Sequence, residues 1–128
     1  MCLRRAAGRQ AGYFLATGPV PFVSRRAFEA VTGPKREWWL VQTVALLVTA
    51  VGAGLACGAV RDRVTAELGI VGAGSAAALA AIDVVYVARG RLRPTYLADA
   101  VVEAALVAGW AAAARTGSGH LRSRCPRP

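Results

Sequence analysis

Three apolar stretches, each about twenty residues long, constrain this chain more than any other feature of its sequence. They occupy residues 38–58, 68–88 and 95–114, and none of the sixteen Lys and Arg residues lies inside them. A helix of about 20 residues crosses the hydrocarbon core of a bilayer, which is about 30 Å thick. A hydrophobic fraction of 55% and a mean hydropathy of +0.42 also exceed what a soluble core of this size needs. The sequence therefore predicts an all-α fold, a helical transmembrane bundle of three spans.

The N-terminal residues 3–23 allow two interpretations. Their apolar part, residues 11–23, contains Pro19 and Pro21, and a helix of about 13 residues would reach only about 20 Å. Starting the helix at Leu3 would make it long enough, although basic side chains would then occupy its first turns. We therefore expect either an interfacial helix or a fourth member of the bundle.

The segments outside the spans are short and basic. Residues 1–114 are predicted to form a single membrane domain, and residues 115–128, rich in Gly, Ser, Arg and Pro, a disordered basic tail. The net charge of +9 fits contacts with membrane lipid, because basic side chains next to a span meet anionic headgroups. No basic helix face or aromatic-interleaved motif accompanies this charge, so we expect no nucleic-acid partner.

The sequence carries none of the common motifs for catalysis or metal binding. The P-loop, HExxH, GxSxG and GxGxxG patterns do not occur, which predicts that the chain is not an enzyme and uses no cofactor. Cys2, Cys57 and Cys125 lack the spacing of a zinc site or of a disulfide framework. They are predicted to be unpaired thiols, and no metal site is expected.

The distribution of basic residues predicts an orientation. The segment 24–37 holds four basic residues and the turn 89–93 holds three, and both lie on one side of the membrane if three spans follow. The opposite side has Arg61 and Arg63 in its short connection and four Arg in the tail, so the short connections hold seven basic residues against two. The positive-inside rule therefore places 24–37 and 89–93 in the cytoplasm.

Three acidic residues fall inside the predicted spans, namely Asp83, Asp99 and Glu103. A charge at the centre of a membrane costs about 2.5–3.5 kcal/mol, so each acid needs a partner, water or a proton. Asp83 and Asp99 lie eight residues either side of Arg91, which puts them at similar depth in an antiparallel hairpin. Glu103 follows Asp99 at i+4, one turn deeper on the same helix face.

Other polar residues of the spans are expected to turn inward beside these acids, because hydrocarbon offers them no hydrogen bonds. The sequence thus predicts a candidate intramembrane polar cluster in the half of the bundle nearer the turn 89–93. Its six members are Gln42, Asp83, Tyr86, Tyr96, Asp99 and Glu103.

Two interpretations of this cluster stay open. In the structural one, Asp83 and Asp99 pair with snorkelling basic residues of the turn and so pin the hairpin. Those interfacial basic residues are Arg89, Arg91 and Arg93. In the functional one, the acids bind a cation or carry a proton, as carboxyl groups inside membranes often do.

Four short segments of the sequence resemble those of a known family. FEAVTGPK at 28–35, WLVQTV at 39–44, AIDVVYV at 81–87 and YLADA at 96–100 resemble a family of small uncharacterised bacterial integral membrane proteins. The resemblance covers about residues 12–112. It implies the membrane class and supplies no catalytic residues, because the family has no established activity.

The sequence leaves two classes of function. The first is a non-catalytic structural or accessory component that binds a membrane-protein partner or a second copy of itself. The second is a small oligomeric transporter, coupled to protons or cations through its intramembrane carboxylates. Fifteen of the sixteen basic residues are Arg, which is typical of a GC-rich bacterial genome. The expected location is therefore the bacterial plasma (inner) membrane, with several passes.

Overall fold

The computed structural model of the chain describes residues 2–118, and this part consists of helices joined by short turns, with no strand. Three of its helices are long and apolar enough to cross a membrane. This confirms the predicted all-α fold with three membrane-spanning helices and an additional N-terminal helix. In chain order the helices are α1 Leu3–Thr17, α2 Val20–Val23, α3 Arg25–Thr32, α4 Trp38–Val60, α5 Ala66–Ala88 and α6 Tyr96–Ser118.

Helices α4, α5 and α6 are each 23 residues long and correspond to the three predicted spans. Most of their large apolar side chains point away from the bundle, as Leu46, Leu47 and Ile70 do. Outward-facing apolar side chains are stable when the surroundings are lipid, so the exposed surface of these helices fits a membrane protein.

Helix α6 is longer at its C-terminal end than the sequence predicts. It continues to Ser118, so residues 115–118 are helical rather than part of the predicted disordered tail. The Thr116 hydroxyl donates to the carbonyl oxygens of Ala112 and Ala113, at 3.2 and 3.0 Å, within the last turns of the helix. The prediction for residues 119–128 lies outside the described residues.

Helix α1 packs along α4 as a fourth member of the bundle, and among the described helices only α4, α5 and α6 are long and apolar enough to cross a membrane. It runs antiparallel to α4: the Arg4 Nε donates to the carbonyl oxygen of Ala59 at 3.0 Å, and Gly18 lies against Thr49 at the other end. Its inner face carries small or flat side chains that are buried, so the backbones of the two helices approach closely. These residues are Ala6, Ala7, Gln10, Ala11 and Phe14.

The bundle has two ends, which the short helix α3 distinguishes. Helix α3 begins at Ser24, whose hydroxyl accepts from the backbone N–H of Ala27 at 3.1 Å, and it ends at Gly33, where φ is +85°. It packs beside the turn between α5 and α6, because the Thr95 hydroxyl donates to the carbonyl oxygen of Val31 at 2.8 Å. We call this end, formed by 24–37 and 89–95, the α3 end, and the opposite one the far end.

The far end holds the start of α1, the turn between α4 and α5, and the end of α6. Cys2 lies there and is disulfide-bonded, so the prediction of an unpaired thiol is wrong for Cys2. Spacing along the chain gave no sign of this bond, because the docking of α1 brings Cys2 to this end. Cys57 is a free cysteine on an exposed face of α4.

Glu29 ties α3 to the segment that follows it. Its Oε1 accepts from the backbone N–H of Lys35 at 3.1 Å and from the Arg25 Nε at 3.2 Å. The Lys35 N–H, and then the Arg25 guanidinium, lower the pKa of Glu29 below its ordinary value. A lowered pKa contributes stability above the ordinary pKa of the group, and this stability is lost as the pH falls through the folded value.

We therefore expect the contact between Glu29 and Lys35 to loosen on acidification below about pH 4. An NMR titration of the Glu29 carboxyl carbon should give a pKa below that of a model Glu peptide. The amide signal of Lys35 should shift with the same midpoint, and Glu29→Gln should remove this step. A Glu29 pKa at or above the model-peptide value would contradict the assignment.

Candidate functional site

The interior of the bundle contains a polar seam on the facing sides of α5 and α6. On α5 the buried face carries Gly72, Ala76 and Asp83, at spacings of four and seven residues. On α6 the buried residues Glu103 and Trp110 are seven residues apart and so share a face. Both acids therefore point into the bundle rather than toward lipid.

Asp83 is the acid of α5, and it is only 5% exposed. Its carboxyl group lies near that of Asp99 on α6, while its Oδ2 has no hydrogen-bond partner among the described residues. Two ionised carboxylates are both acceptors, so a hydrogen bond between Asp83 and Asp99 requires a proton on one of them.

Glu103 lies one turn deeper on α6 and is 1% exposed. Its Oε2 also has no hydrogen-bond partner in the part of the chain that the structure describes. The charged groups that act on it are Asp99 and Asp83, which carry the same sign. A buried carboxyl group in these surroundings is stable only with a proton on it or a cation beside it.

Tyr13 completes the site from α1. Its hydroxyl donates a hydrogen bond to Asp99 Oδ1. We call Tyr13, Asp83, Asp99 and Glu103 the carboxyl cluster. Tyr13 was not among the predicted site residues, although its position is consistent with the inner face of α1, one residue before the buried Phe14.

Gln10 organises a second polar layer, farther from the α3 end. Its Nε2 donates to the carbonyl oxygen of Gly72 at 2.8 Å and to the Ser75 hydroxyl at 3.2 Å. Its Oε1 accepts from the Trp110 Nε1 at 2.7 Å. Gln10 is fully buried and well satisfied, so this layer joins α1 to α5 and α6, whereas the carboxyl cluster retains unpaired oxygens.

The other predicted members of the polar cluster form no hydrogen bond with the acids in the part of the chain that the structure describes. Tyr86 is 37% exposed, and the Arg89 guanidinium lies 5.8 Å from its ring centroid. Tyr96 is half-buried under the Lys35 ammonium group, which lies 4.9 Å from its ring centroid. Gln42 is half-buried on α4 and takes no part in the hydrogen bonds of the carboxyl cluster.

The ion pairs that the structural interpretation predicts are not formed among residues 2–118, because the basic residues of the turn do not pair with the acids. Arg89, Arg91 and Arg93 are all exposed at the α3 end. Arg93 Nη1 instead donates to the carbonyl oxygen of Ala30 at 3.5 Å, and Arg89 lies over an aromatic ring. Within residues 2–118 the side-chain salt bridge is Arg25 to Glu29.

The arginines of the turn do not reach the acids because the acids lie deeper in the bundle. Asp83 lies five residues before the end of α5, or about 7 Å along the helix axis, and its side chain points inward. The three arginines leave the helices at the turn, where carbonyl oxygens, aromatic rings and solvent are closer partners. The neighbours of the acids in the bundle are consequently the other acids and Tyr13.

Among residues 2–118, no three His, Cys, Asp or Glu side chains are grouped so that they could hold a metal ion. The cluster combines a phenol and three carboxyl groups, which are hydrogen-bonding and proton-exchanging groups.

Comparison with known proteins found no matching family model, no matching curated protein and no matching solved structure.

Proposed function

We propose that this chain is a small multi-pass protein of the bacterial plasma membrane whose carboxyl cluster takes up and releases protons. In this role it would act as the proton-coupled element of an oligomeric transporter, without catalysis. The observation that carries the proposal is the burial of Asp83 and Glu103, each with an unpaired carboxyl oxygen and no basic partner among residues 2–118.

A buried carboxyl group can be paired in a salt bridge, left ionised without a partner, or protonated. A salt bridge would offset the cost of a buried carboxylate, but the acids form none among the described residues. Ionising all three carboxyl groups would place like charges together in a dry interior, and each missing partner makes this more costly. Taking up a proton is the remaining route, and it makes the occupancy of the cluster depend on pH on the side from which it is reached.

A second candidate, the accessory role, is favoured by the outer surface of the bundle. Gly54 on α4 and Gly74 on α5 point outward, and a Cβ atom built on either one would meet nothing within 4 Å. Flat positions of this kind let another membrane helix approach closely. An accessory protein would use these surfaces and would need no proton movement.

Purified protein in liposomes under a pH gradient separates the two candidates. We expect the wild type to carry a proton flux that a pH-sensitive dye inside the liposomes reports. Glu103→Gln and Asp83→Asn should each reduce this flux to the level of protein-free liposomes, because neither amide can carry the proton. The matched control is Glu67→Gln, which changes an exposed acid in the first turn of α5 and should leave the flux unchanged.

Infrared spectroscopy of the same samples provides a readout that does not depend on transport. A protonated carboxyl group gives a carbonyl band that Glu103→Gln and Asp83→Asn should weaken, while Glu67→Gln should not. If the wild type shows neither flux nor this band, the proton proposal fails and the accessory role is favoured.

A further inference from the structure

The three acids of the carboxyl cluster differ in how deeply they are buried. Asp99 is half-buried, whereas Asp83 is 5% and Glu103 is 1% exposed. Depth along α6 follows the same order, because Asp99 lies three residues after the first residue of the helix and Glu103 lies seven. These separations correspond to about 5 and about 10 Å along the helix axis. Exposure therefore falls from the α3 end toward the middle of the bundle, and Asp99 is the outermost acid.

Asp99 is also the member of the cluster that faces each of the others. Its Oδ1 accepts from the Tyr13 hydroxyl, its carboxyl group lies near that of Asp83, and its charge acts on Glu103. Asp83 and Glu103 each have an oxygen without a hydrogen-bond partner among residues 2–118. Those two oxygens are acceptors to which Asp99 can pass a proton.

The surface of the bundle next to Asp99 is polar. Tyr96 lies three residues earlier on the same face of α6, and the Lys35 ammonium group lies 4.9 Å from its ring centroid. Lys35 Nζ also donates to the carbonyl oxygen of Thr32 at 3.1 Å. Charged side chains at the end of a membrane helix keep their heads in water. The α3 end therefore brings water to within about one helical turn of Asp99.

The opposite side of the cluster is apolar. Residues 104–109 of α6 and 76–82 of α5 have no ionisable or hydrogen-bonding side chain. About 10 Å of α6 therefore separates Glu103 from Trp110. Trp110 belongs to the layer that Gln10 forms with Gly72 and Ser75, which we call the Gln10 layer.

The Gln10 layer does not continue a proton path toward the far end. The Gln10 amide and the Trp110 indole are hydrogen-bonded to each other, and neither binds a proton near neutral pH. Beyond this layer the bundle is filled by buried apolar side chains, which leave no polar route to the cluster in the part of the chain that the structure describes. These residues are Ala6, Ala7, Leu55, Ala59 and Ala113.

We propose that Asp99 is the residue through which the carboxyl cluster exchanges protons with water, and that this exchange takes place at the α3 end alone. A proton from water binds Asp99 and moves on to Asp83 or Glu103, and Asp99 returns to its carboxylate form. Release follows the same steps in reverse. The Tyr13 hydroxyl positions Asp99 by holding its Oδ1, which leaves Oδ2 for the exchanged proton. The inference rests on the proposed function, since it assigns the first step of the same proton uptake.

Hydrogen exchange of the buried acids tests the role of Asp99. Proteoliposomes are transferred from H2O to D2O, and the shift of the carboxyl carbonyl band in the infrared gives the exchange rate. Asp99→Asn keeps an oxygen that accepts from Tyr13 but cannot carry the exchanged proton. We expect the band of Asp83 and Glu103 to remain and its exchange to become about a hundredfold slower. The control Glu67→Gln should exchange at the wild-type rate.

The two proposals fail in different ways in this experiment. If the carboxyl band is present and Asp99→Asn leaves its exchange rate unchanged, the role of Asp99 is overturned while the proton function stands. If the wild type lacks the band, the proposed function fails and the assignment of Asp99 fails with it.

Thiol labelling tests the side of access. In a Cys57→Ser background, Asp99→Cys and Ser75→Cys place a thiol at two half-buried positions, one in the carboxyl cluster and one in the Gln10 layer. The variants are held in lipid nanodiscs, where both membrane faces are open to a charged methanethiosulfonate reagent, and the reaction of the parent is subtracted. We expect Asp99→Cys to react at least about ten times faster, because only a thiol that water reaches forms the reactive thiolate. Equal rates would show that water also reaches the Gln10 layer and would overturn the one-sided exchange.

Discussion

Replacing Gly52 by leucine is expected to detach α1 from the rest of the bundle. A Cβ atom at position 52 would lie 2.9 Å from the Cβ of Phe14 and 3.3 Å from the backbone nitrogen of Leu15. Because the second of these contacts is to backbone, the clash cannot be relieved by rotating a side chain. Overpacking of this kind costs about 1–3 kcal/mol, and here the helices must also separate to make room for the larger side chain.

Gly54→Leu is the matched control for this experiment. It makes the same chemical change on the same helix two residues farther on, where an added Cβ meets nothing within 4 Å. Both variants gain the same helix propensity, so the difference between them reports the α1–α4 contact. Unfolding in mixed detergent and SDS, followed by circular dichroism, should place Gly52→Leu well below Gly54→Leu. Equal stabilities would mean that α1 does not pack against α4 as described.

The second large effect is expected at the buried Gln10. Gln10→Leu keeps most of the side-chain volume but leaves the Trp110 indole N–H without its acceptor. The Gly72 carbonyl and the Ser75 hydroxyl also lose a donor. An unsatisfied buried polar group costs about 1–3 kcal/mol, although hydrogen bonds between membrane helices average nearer 0.6 kcal/mol. A loss of about 1–2 kcal/mol in the free energy of unfolding is therefore expected.

A double-mutant cycle with Trp110→Phe isolates this hydrogen bond. Trp110→Phe removes the indole donor, so the cost of Gln10→Leu should be smaller in its presence than alone. The cycle should give a coupling of about 1 kcal/mol. If the two substitutions are simply additive, the contact between Gln10 and Trp110 contributes nothing to stability.

The three long helices were predictable because their signal is local. A run of about twenty residues without a basic side chain identifies a span whatever the rest of the chain does. The predicted spans differ from α4, α5 and α6 by at most four residues at any end. These differences are of the size expected where the last turns of a helix continue past the apolar run.

The proximity of Asp83 to Asp99 could be predicted from the helical hairpin of α5 and α6. Both residues lie eight positions from Arg91, so they lie at the same depth in the bundle. The contribution of α1 could not be predicted in the same way. Nothing near Gln10 or Tyr13 in the sequence indicates which helices they contact, because their partners lie between 62 and 100 residues away. One signal was available: the small residues of α1 recur at helical spacing on the face that carries Gln10.

The pairing of acids with arginines was wrong for a different reason. Proximity in sequence suggested it, but the direction in which a side chain leaves its helix decides whether two residues meet. Asp83 faces the interior, whereas Arg89, six residues later, is exposed at the α3 end.

The long separation between Gln10 and its partners also sets an order of events during synthesis. Gly72 is translated 62 residues after Gln10, and Trp110 is translated 100 residues after it. Until then the polar side chains of α1 have no partners inside lipid, and its arginines discourage early insertion. Helix α1 therefore stays at the membrane surface or beside the translocon until α5 and α6 have been translated and can supply the partners of Gln10.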